Sequence, residues 1–321
     1  MRLTITLQRF NPERDAQPHD EELRLDVRRG TTVLDLLIRI KQELDGTLAL
    51  RYSCRSAICG SCAMDINGGE KLACRTSVRK ELERHGRLRI APLQHLPVIK
   101  DLVVDMTPFW SKIRDVTPWL SSRTGMMDQA GADGALSTAE RFHNVDACIM
   151  CGACVASCTV HAVSNGFAGP AALAKVDRFL SDPREPESMK RARLEVLQAA
   201  DGIWDCTRCN YCVEVCPKDV KPMEAIIRLR RATLDRKLPA TGGARHITGF
   251  VSLVEHEGRL NEALMPLKVV GDDVATLRRV MPLGIKMFLK GKVPSPLGHR
   301  IPGLSQVQAI FQRARRLLRP S

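Results

Sequence analysis

The feature that most constrains this chain is a pair of matching cysteine runs. They are Cys148-Ile-Met-Cys151-Gly-Ala-Cys154-Val-Ala-Ser-Cys158 and Cys206-Thr-Arg-Cys209-Asn-Tyr-Cys212-Val-Glu-Val-Cys216-Pro217, each spaced C-x2-C-x2-C-x3-C. Three thiolates on one tight loop reach three corners of an iron-sulfur cubane, while the fourth, one helical turn on, points to a different cluster. Two copies therefore predict two crossed 4Fe-4S sites. Cys148, Cys151, Cys154 and Cys216 belong to one, and Cys206, Cys209, Cys212 and Cys158 to the other. Zinc is the competing reading, since four thiolates also suit a closed tetrahedral ion. It fits less well, because zinc modules space their ligands as separated pairs and these runs crowd three onto one loop. A disulfide framework fits less again: a chain of 321 residues buries its own core, and clustered C-x2-C spacing reads as metal or redox chemistry.

A third cysteine set lies earlier. Cys54-Arg-Ser-Ala-Ile-Cys59-Gly-Ser-Cys62 is followed after eleven residues by Cys74, the C-x4-C-x2-C…C spacing of a plant-type 2Fe-2S ferredoxin. Asn67-Gly68-Gly69, between two short apolar stretches, is a hairpin turn signal that would swing Cys74 back to the cluster. Gly60 and Ser61 are small where backbone amides must approach cluster sulfur. A zinc site is again the weaker alternative. All twelve cysteines are used, none left over.

Around these sets the patterning supplies a scaffold. Residues 1–10 and 22–29 alternate apolar and polar and read as two half-buried strands with a long loop between them. Thr31 and Thr32 cap a helix over 32–45, and 87–92 would close the sheet. Residues 93–122 read as a connector with one helix, in which Trp110 and Trp119 serve as packing anchors, and 121–140 as an exposed loop. Pro170, Pro186 and Pro222 open helices over 170–181, 186–200 and 222–238 that would wrap the cubanes and keep water from them. Past 240 the composition changes. Segments 272–292 and 304–319 read as basic amphipathic helices, the first broken near Pro282-Leu-Gly284. They serve core packing or a solvated face, or dock an acidic partner or a membrane surface.

The fold class is α+β. A 2Fe-2S ferredoxin β-grasp domain (1–105) precedes an all-α helical ferredoxin domain with two 4Fe-4S clusters (106–240) and a basic helical C-terminal extension (241–321). Of the formal charge of +13, residues 221–321 hold nearly all, with 19 Lys and Arg against 7 Asp and Glu. Nucleic acid is excluded by the absence of a binding motif and of aromatics to stack bases. No apolar run is long enough to span a bilayer. Met1-Arg2-Leu3-Thr4-Ile5 reads as a strand rather than a signal peptide, which predicts a cytoplasmic protein.

The stretches from Ser53 to Thr76 and from Pro97 to Asp105, with the two cysteine runs, resemble the iron-sulfur subunit of succinate dehydrogenases and fumarate reductases over about residues 1–240. The resemblance implies a 2Fe-2S domain facing an FAD-bearing flavoprotein and a helical domain facing a membrane-anchor subunit and quinone. Electrons would pass along the three clusters, and the chain would lie peripherally on the inner face of the cell membrane through these partners. Substrate chemistry would belong to the flavoprotein, since this chain has no nucleotide loop. Cys209 stands where such subunits carry an apolar residue beside a 3Fe-4S centre, which predicts 4Fe-4S here, or 3Fe-4S if Cys209 is not a ligand. Thr159-Val160-His161 and Thr207 replace the residues that shape a quinone pocket. Both departures are similar to the type E variants, whose partner is a cysteine-rich subunit related to heterodisulfide reductase, and the tail looks like the small iron-sulfur subunit of that enzyme. The alternative implied is an iron-sulfur subunit of a heterodisulfide-reductase-like or 2-hydroxyacid-oxidising flavoprotein complex.

Overall fold

The structure, a computed structural model, describes residues 2–121, 142–238, 240–271, 273–294 and 300–317. It divides into two compact units, Met1–Thr233 and Leu234–Ser321. The first opens with β1 (Arg2–Arg9) and β2 (His19–Asp26), antiparallel from Arg2 opposite Asp26 to Arg9 opposite His19. The second strand thus starts and ends three residues earlier than its alternation suggests. Pairing sets this register: Leu3 faces Leu25 and Ile5 faces Leu23, so the apolar set of both strands reaches the same side. A five-stranded sheet follows, in the order β2-β1-β5-β3-β4, with β3 (Ala63–Ile66), β4 (Gly69–Leu72) and β5 (Arg89–Ala91). β1 and β5 run parallel, which requires the crossover that α1 (Val33–Arg39) supplies.

Thr32 closes a capping box with Asp35, and Val33, Leu34, Leu36 and Leu37 are buried. The helix expected to reach residue 45 turns π-helical over Ile40–Leu44, which keeps Ile40 buried. Asn67 and Gly68 have φ of 57° and 80°, the left-handed pair that a tight β3–β4 hairpin needs. Sequence patterning missed α2 (Val78–His85), capped by Ser77 and stopped by Gly86, and the hairpin of β6 (Val98–Lys100) with β7 (Val103–Val104). The strands are too short to show a period, and α2 carries only two apolar residues, Val78 and Leu82.

Charge fixes the loop that leads into the first cysteines. Arg9 bridges Glu21 (2.6 Å), Asp45 (2.7 Å) and Asp101 (3.0 Å). The buried Asp101 carboxylate also accepts from Phe10 N (3.1 Å) and Ala49 N (2.8 Å), so strand β1, the 49–53 segment and the β6–β7 hairpin share one polar anchor.

The helical part consists of α3 (Thr107–Asp115), α4 (Ala153–Ala156), α5 (Pro170–Leu180), α6 (Glu187–Leu197), α7 (Tyr211–Glu214) and α8 (Pro222–Asp235). It shares one apolar core with the sheet: Leu93, Leu102 and Val104 pack in the same cluster as Val155, Ala156 and Ala171. Trp110 and Trp119 are not the anchors expected of them, being 43% and 56% exposed. Phe109 and Ile113, one helical turn apart on α3, are the buried face, and Trp110 packs edge-on against Phe109. The loop expected over 121–140 lies almost wholly outside the described residues.

In the second unit α9 (Gly242–Glu257) packs with α10 (Met265–Val270) and α12 (Leu304–Leu317), while α11 (Val274–Leu289) has no buried residue. α11 runs unbroken through Pro282. The carbonyl that proline leaves without a donor can bond water, because residues 278–289 of this helix are all exposed. Among the described residues no helix is long and apolar enough to cross a membrane.

Candidate metal centres

The first four cysteines sit on a loop whose backbone turns its amides inward. Ser56, Ile58 and Cys59 donate N–H bonds to Cys54 Sγ at 3.3, 3.4 and 3.3 Å, and Ala57 N donates to Cys74 Sγ at 3.3 Å. Arg55, Ala57 and Gly60 hold positive φ to allow this. The Ser61 hydroxyl, helped by amide donors, brings the Cys59 thiol down to about 6. Burial pushes Cys62 up to about 12, with Cys74 and Cys59 among the negative charges it would face.

The two later runs fold alike. Met150 and Gly152 take φ of 54° and 82°, and their counterparts Arg208 and Asn210 take 58° and 71°. Asparagine serves at the last position because it tolerates the left-handed region better than most side chains. Each loop then enters a one-turn helix, α4 or α7, which carries Cys154 or Cys212.

The thiols converge in crossed sets. Burial pushes Cys151 up to about 11, and the charges that add to this belong to Cys148 and Cys216. Cys154 is raised further by burial, with Cys151, Cys148, Cys212 and Cys216 around it. Cys148, Cys151, Cys154 and Cys216 line one apolar cavity with Phe109, Ala171 and Val220. Cys158 is raised by burial and faces Cys206 and Cys209; Cys212, pushed up to about 12, faces Cys206, Cys158 and Cys209. Burial opposes ionisation of Cys209 too, but Tyr211 N–H and the hydroxyls of Thr159 and Thr207 hold it below the usual thiol range.

The three sets adjoin. A Cβ placed on Gly60 would lie 2.8 Å from Cys151 Cβ and 3.0 Å from the Ile149 carbonyl oxygen, so the first loop touches the second through a glycine. Cys154 has Cys212 among its charged neighbours, which joins the second set to the third. Among the described residues no group of three or more His, Cys, Asp or Glu is arranged to hold a single metal ion. None of the twelve cysteines forms a disulfide. Desolvated thiols with raised pKa values can be anionic together only against strong positive charge, and a multi-iron cluster supplies it. The donor set fits iron-sulfur clusters.

Residues that spacing could not reveal support the site. Arg230, buried on α8, donates to the carbonyls of Ile203 (2.8 Å), Trp204 (3.1 Å) and Cys206 (2.7 Å), fixing entry to the third loop. Glu70 on β4 meets the Ser157 hydroxyl beside α4 and is held above the usual carboxylate range by burial. His161 is buried with Nδ1 unbonded, and Thr159 lies 3.5 Å from Thr207. A polar residue patterned like any surface position carries no sign of such long-range contacts.

The models of two protein families match the chain, the 2Fe-2S iron-sulfur cluster binding domain over residues 4–111 and the 4Fe-4S dicluster domain over 144–220. The chain is 39% identical over 235 residues to the fumarate reductase iron-sulfur subunit of Mycobacterium tuberculosis, covering 71% of this chain and 92% of that one. It is 37% identical over 224 residues to the subunit of the same name in Escherichia coli, covering 70% and 90%. The 8-methylmenaquinol:fumarate reductase iron-sulfur subunit of Wolinella succinogenes is 33% identical over 293 residues, covering 88% of this chain and 90% of that one. At 88% the match must extend well past residue 240. A chain of the Mycobacterium smegmatis Sdh1 complex in the apo form shares the fold, with a TM-score of 0.61 at 24% identity, covering 74% of this chain and 97% of that one. With two cysteine-bearing domains in the same order and relatives matched along nine-tenths of their length, the chain belongs to the iron-sulfur subunits of the fumarate reductase and succinate dehydrogenase family, one component of an oxidoreductase complex.

Proposed function

We propose that this chain is the electron wire between an FAD-containing flavoprotein and a membrane-side partner, either an anchor that binds quinone or a cysteine-rich subunit related to heterodisulfide reductase. The observation that carries this reading is the adjacency of three thiol sets, linked through Gly60 with Cys151 and through Cys154 with Cys212. Cys54, Cys59, Cys62 and Cys74 hold a 2Fe-2S cluster. Cys148, Cys151, Cys154 and Cys216 hold one 4Fe-4S cluster, and Cys206, Cys209, Cys212 and Cys158 the other. Such clusters carry single electrons at potentials set by hydrogen bonds to sulfur and by solvent access. The chain's own contribution is to supply both. Amides around Cys54 and Cys74 stabilise negative charge, and the apolar walls of the second set exclude water. The Wolinella subunit, matched beyond residue 240, is named for 8-methylmenaquinol, which supports a quinone on the membrane side.

Iron content tests the ligand sets. Anaerobically purified chain should hold about ten irons, and Cys209→Ala about nine with an oxidised-state 3Fe-4S resonance. About nine irons and that resonance in the unsubstituted chain would remove Cys209 from the ligand set. Removal of residues 241–321 should leave the iron count unchanged while binding to the membrane-side partner is lost. Every cysteine precedes the cut, and the first unit ends at Thr233. Loss of the 4Fe-4S signals on truncation would instead make the tail part of the cluster-binding fold.

A further inference from the structure

α11 stands apart from the other helices of its unit. All 16 of its residues are exposed or half-buried, and the apolar ones are large: Leu283 is 63% exposed, Phe288 72% and Leu289 77%. Apolar side chains of this size left in water along a whole helix imply something that covers them. Its charge indicates what. At about 100° per residue, Arg279, Lys286 and Lys290 fall in one narrow arc. Leu277, Met281 and Phe288 lie on the far side. From Val274 to the end of the chain there are ten Lys and Arg and no Asp or Glu. Charged surfaces are met by complementary ones, and an unbroken positive sign suits a surface that is negative everywhere, as an anionic bilayer is.

We propose that α11 lies in the headgroup region of an anionic lipid bilayer, with Leu277, Met281 and Phe288 toward the acyl boundary and Arg279, Lys286 and Lys290 among the phosphates. Its opposed basic and apolar arcs, with Arg278 at the edge of the apolar one and Leu283 beside Lys290, are those of a helix that rests on a membrane rather than crossing it. The apolar arc supplies burial and each cation adds attraction to the negative surface, so neither half alone accounts for a stable attachment. The proposal places the chain itself on the membrane, in addition to any attachment through partner subunits. It does not depend on the cluster assignment.

The test is co-sedimentation of the full chain, with its iron content measured in parallel, on phosphatidylcholine vesicles with and without about one-third phosphatidylglycerol. Binding should require the anionic lipid. The triple substitution Arg279→Gln, Lys286→Gln, Lys290→Gln should weaken it about a hundredfold, from the attraction that each basic residue contributes near such a surface. Met281→Asp with Phe288→Asp should abolish it at unchanged salt. Iron content should stay the same throughout, since α11 holds no cysteine. Absence of binding to anionic vesicles overturns the proposal. So does binding that the aspartate pair leaves intact, which would mark a charge-only patch for an acidic protein. A fall in iron content with vesicle binding unchanged would overturn it as well, since α11 would then support the cluster fold instead of a lipid surface.

Discussion

Replacing Arg193 with methionine is expected to destabilise the first unit by about 3–5 kcal/mol, because it strips the cation from a buried pair. Arg193 and Glu185 lie 2.8 Å apart with side chains 4% and 0% exposed. The same guanidinium donates to the carbonyls of Val116 (3.0 Å), Thr117 (2.7 Å) and Trp119 (2.8 Å), tying the chain after α3 to α6. Burial alone would raise the Glu185 carboxyl, but Ser121 and Arg193 hold it below its ordinary value of 4.5. The sign follows. In the native chain Glu185 contributes stability above about 4.5, which is lost as pH falls through its lower folded value. In Arg193→Met the uncompensated carboxylate is driven up instead and takes a proton sooner. Urea unfolding at neutral and mildly acidic pH should show the gap between variant and parent narrowing as pH drops. A gap that does not change with pH would mean the loss comes from the loop carbonyls alone. Adding Glu185→Leu to Arg193→Met should recover part of the loss at neutral pH, since an apolar pair leaves no buried charge.

Gly60→Ala is the second substitution with a large expected effect. An alanine at φ 75° is strained by about 1–2 kcal/mol. Its Cβ would also press on Cys151 Cβ and the Ile149 carbonyl at 2.8 and 3.0 Å, which are close to the backbone and cannot rotate away. Overpacking of that kind costs about 1–3 kcal/mol more. Gly68→Ala separates the two contributions, since its φ is 80° with nothing within 4 Å of the added atom. Urea unfolding should rank Gly60→Ala well below Gly68→Ala. Equal losses would mean that the loops carrying Cys59 and Cys151 do not touch.

Amino-acid order alone determined the elements whose cause is local. Cysteine spacing marked all three candidate ligand sets, because a loop of two or three residues fixes where its own thiols point. The turn at Asn67-Gly68, the cap at Thr32 and the helix starts at Pro170 and Pro222 were equally legible, each depending on residues within a few positions. Tertiary structure decided the rest. The register of β2 came from Leu23 and Leu25 meeting β1, and the buried face of α3 from which side of that helix met the shared core. One apolar core packs residues of the sheet against residues of the helices. Arg230, Asp101 and the loop contacts of Arg193 reach partners 24 to 92 positions away. No pattern along the chain encodes such a pairing; it exists only once burial leaves a charge with a single set of groups to bond.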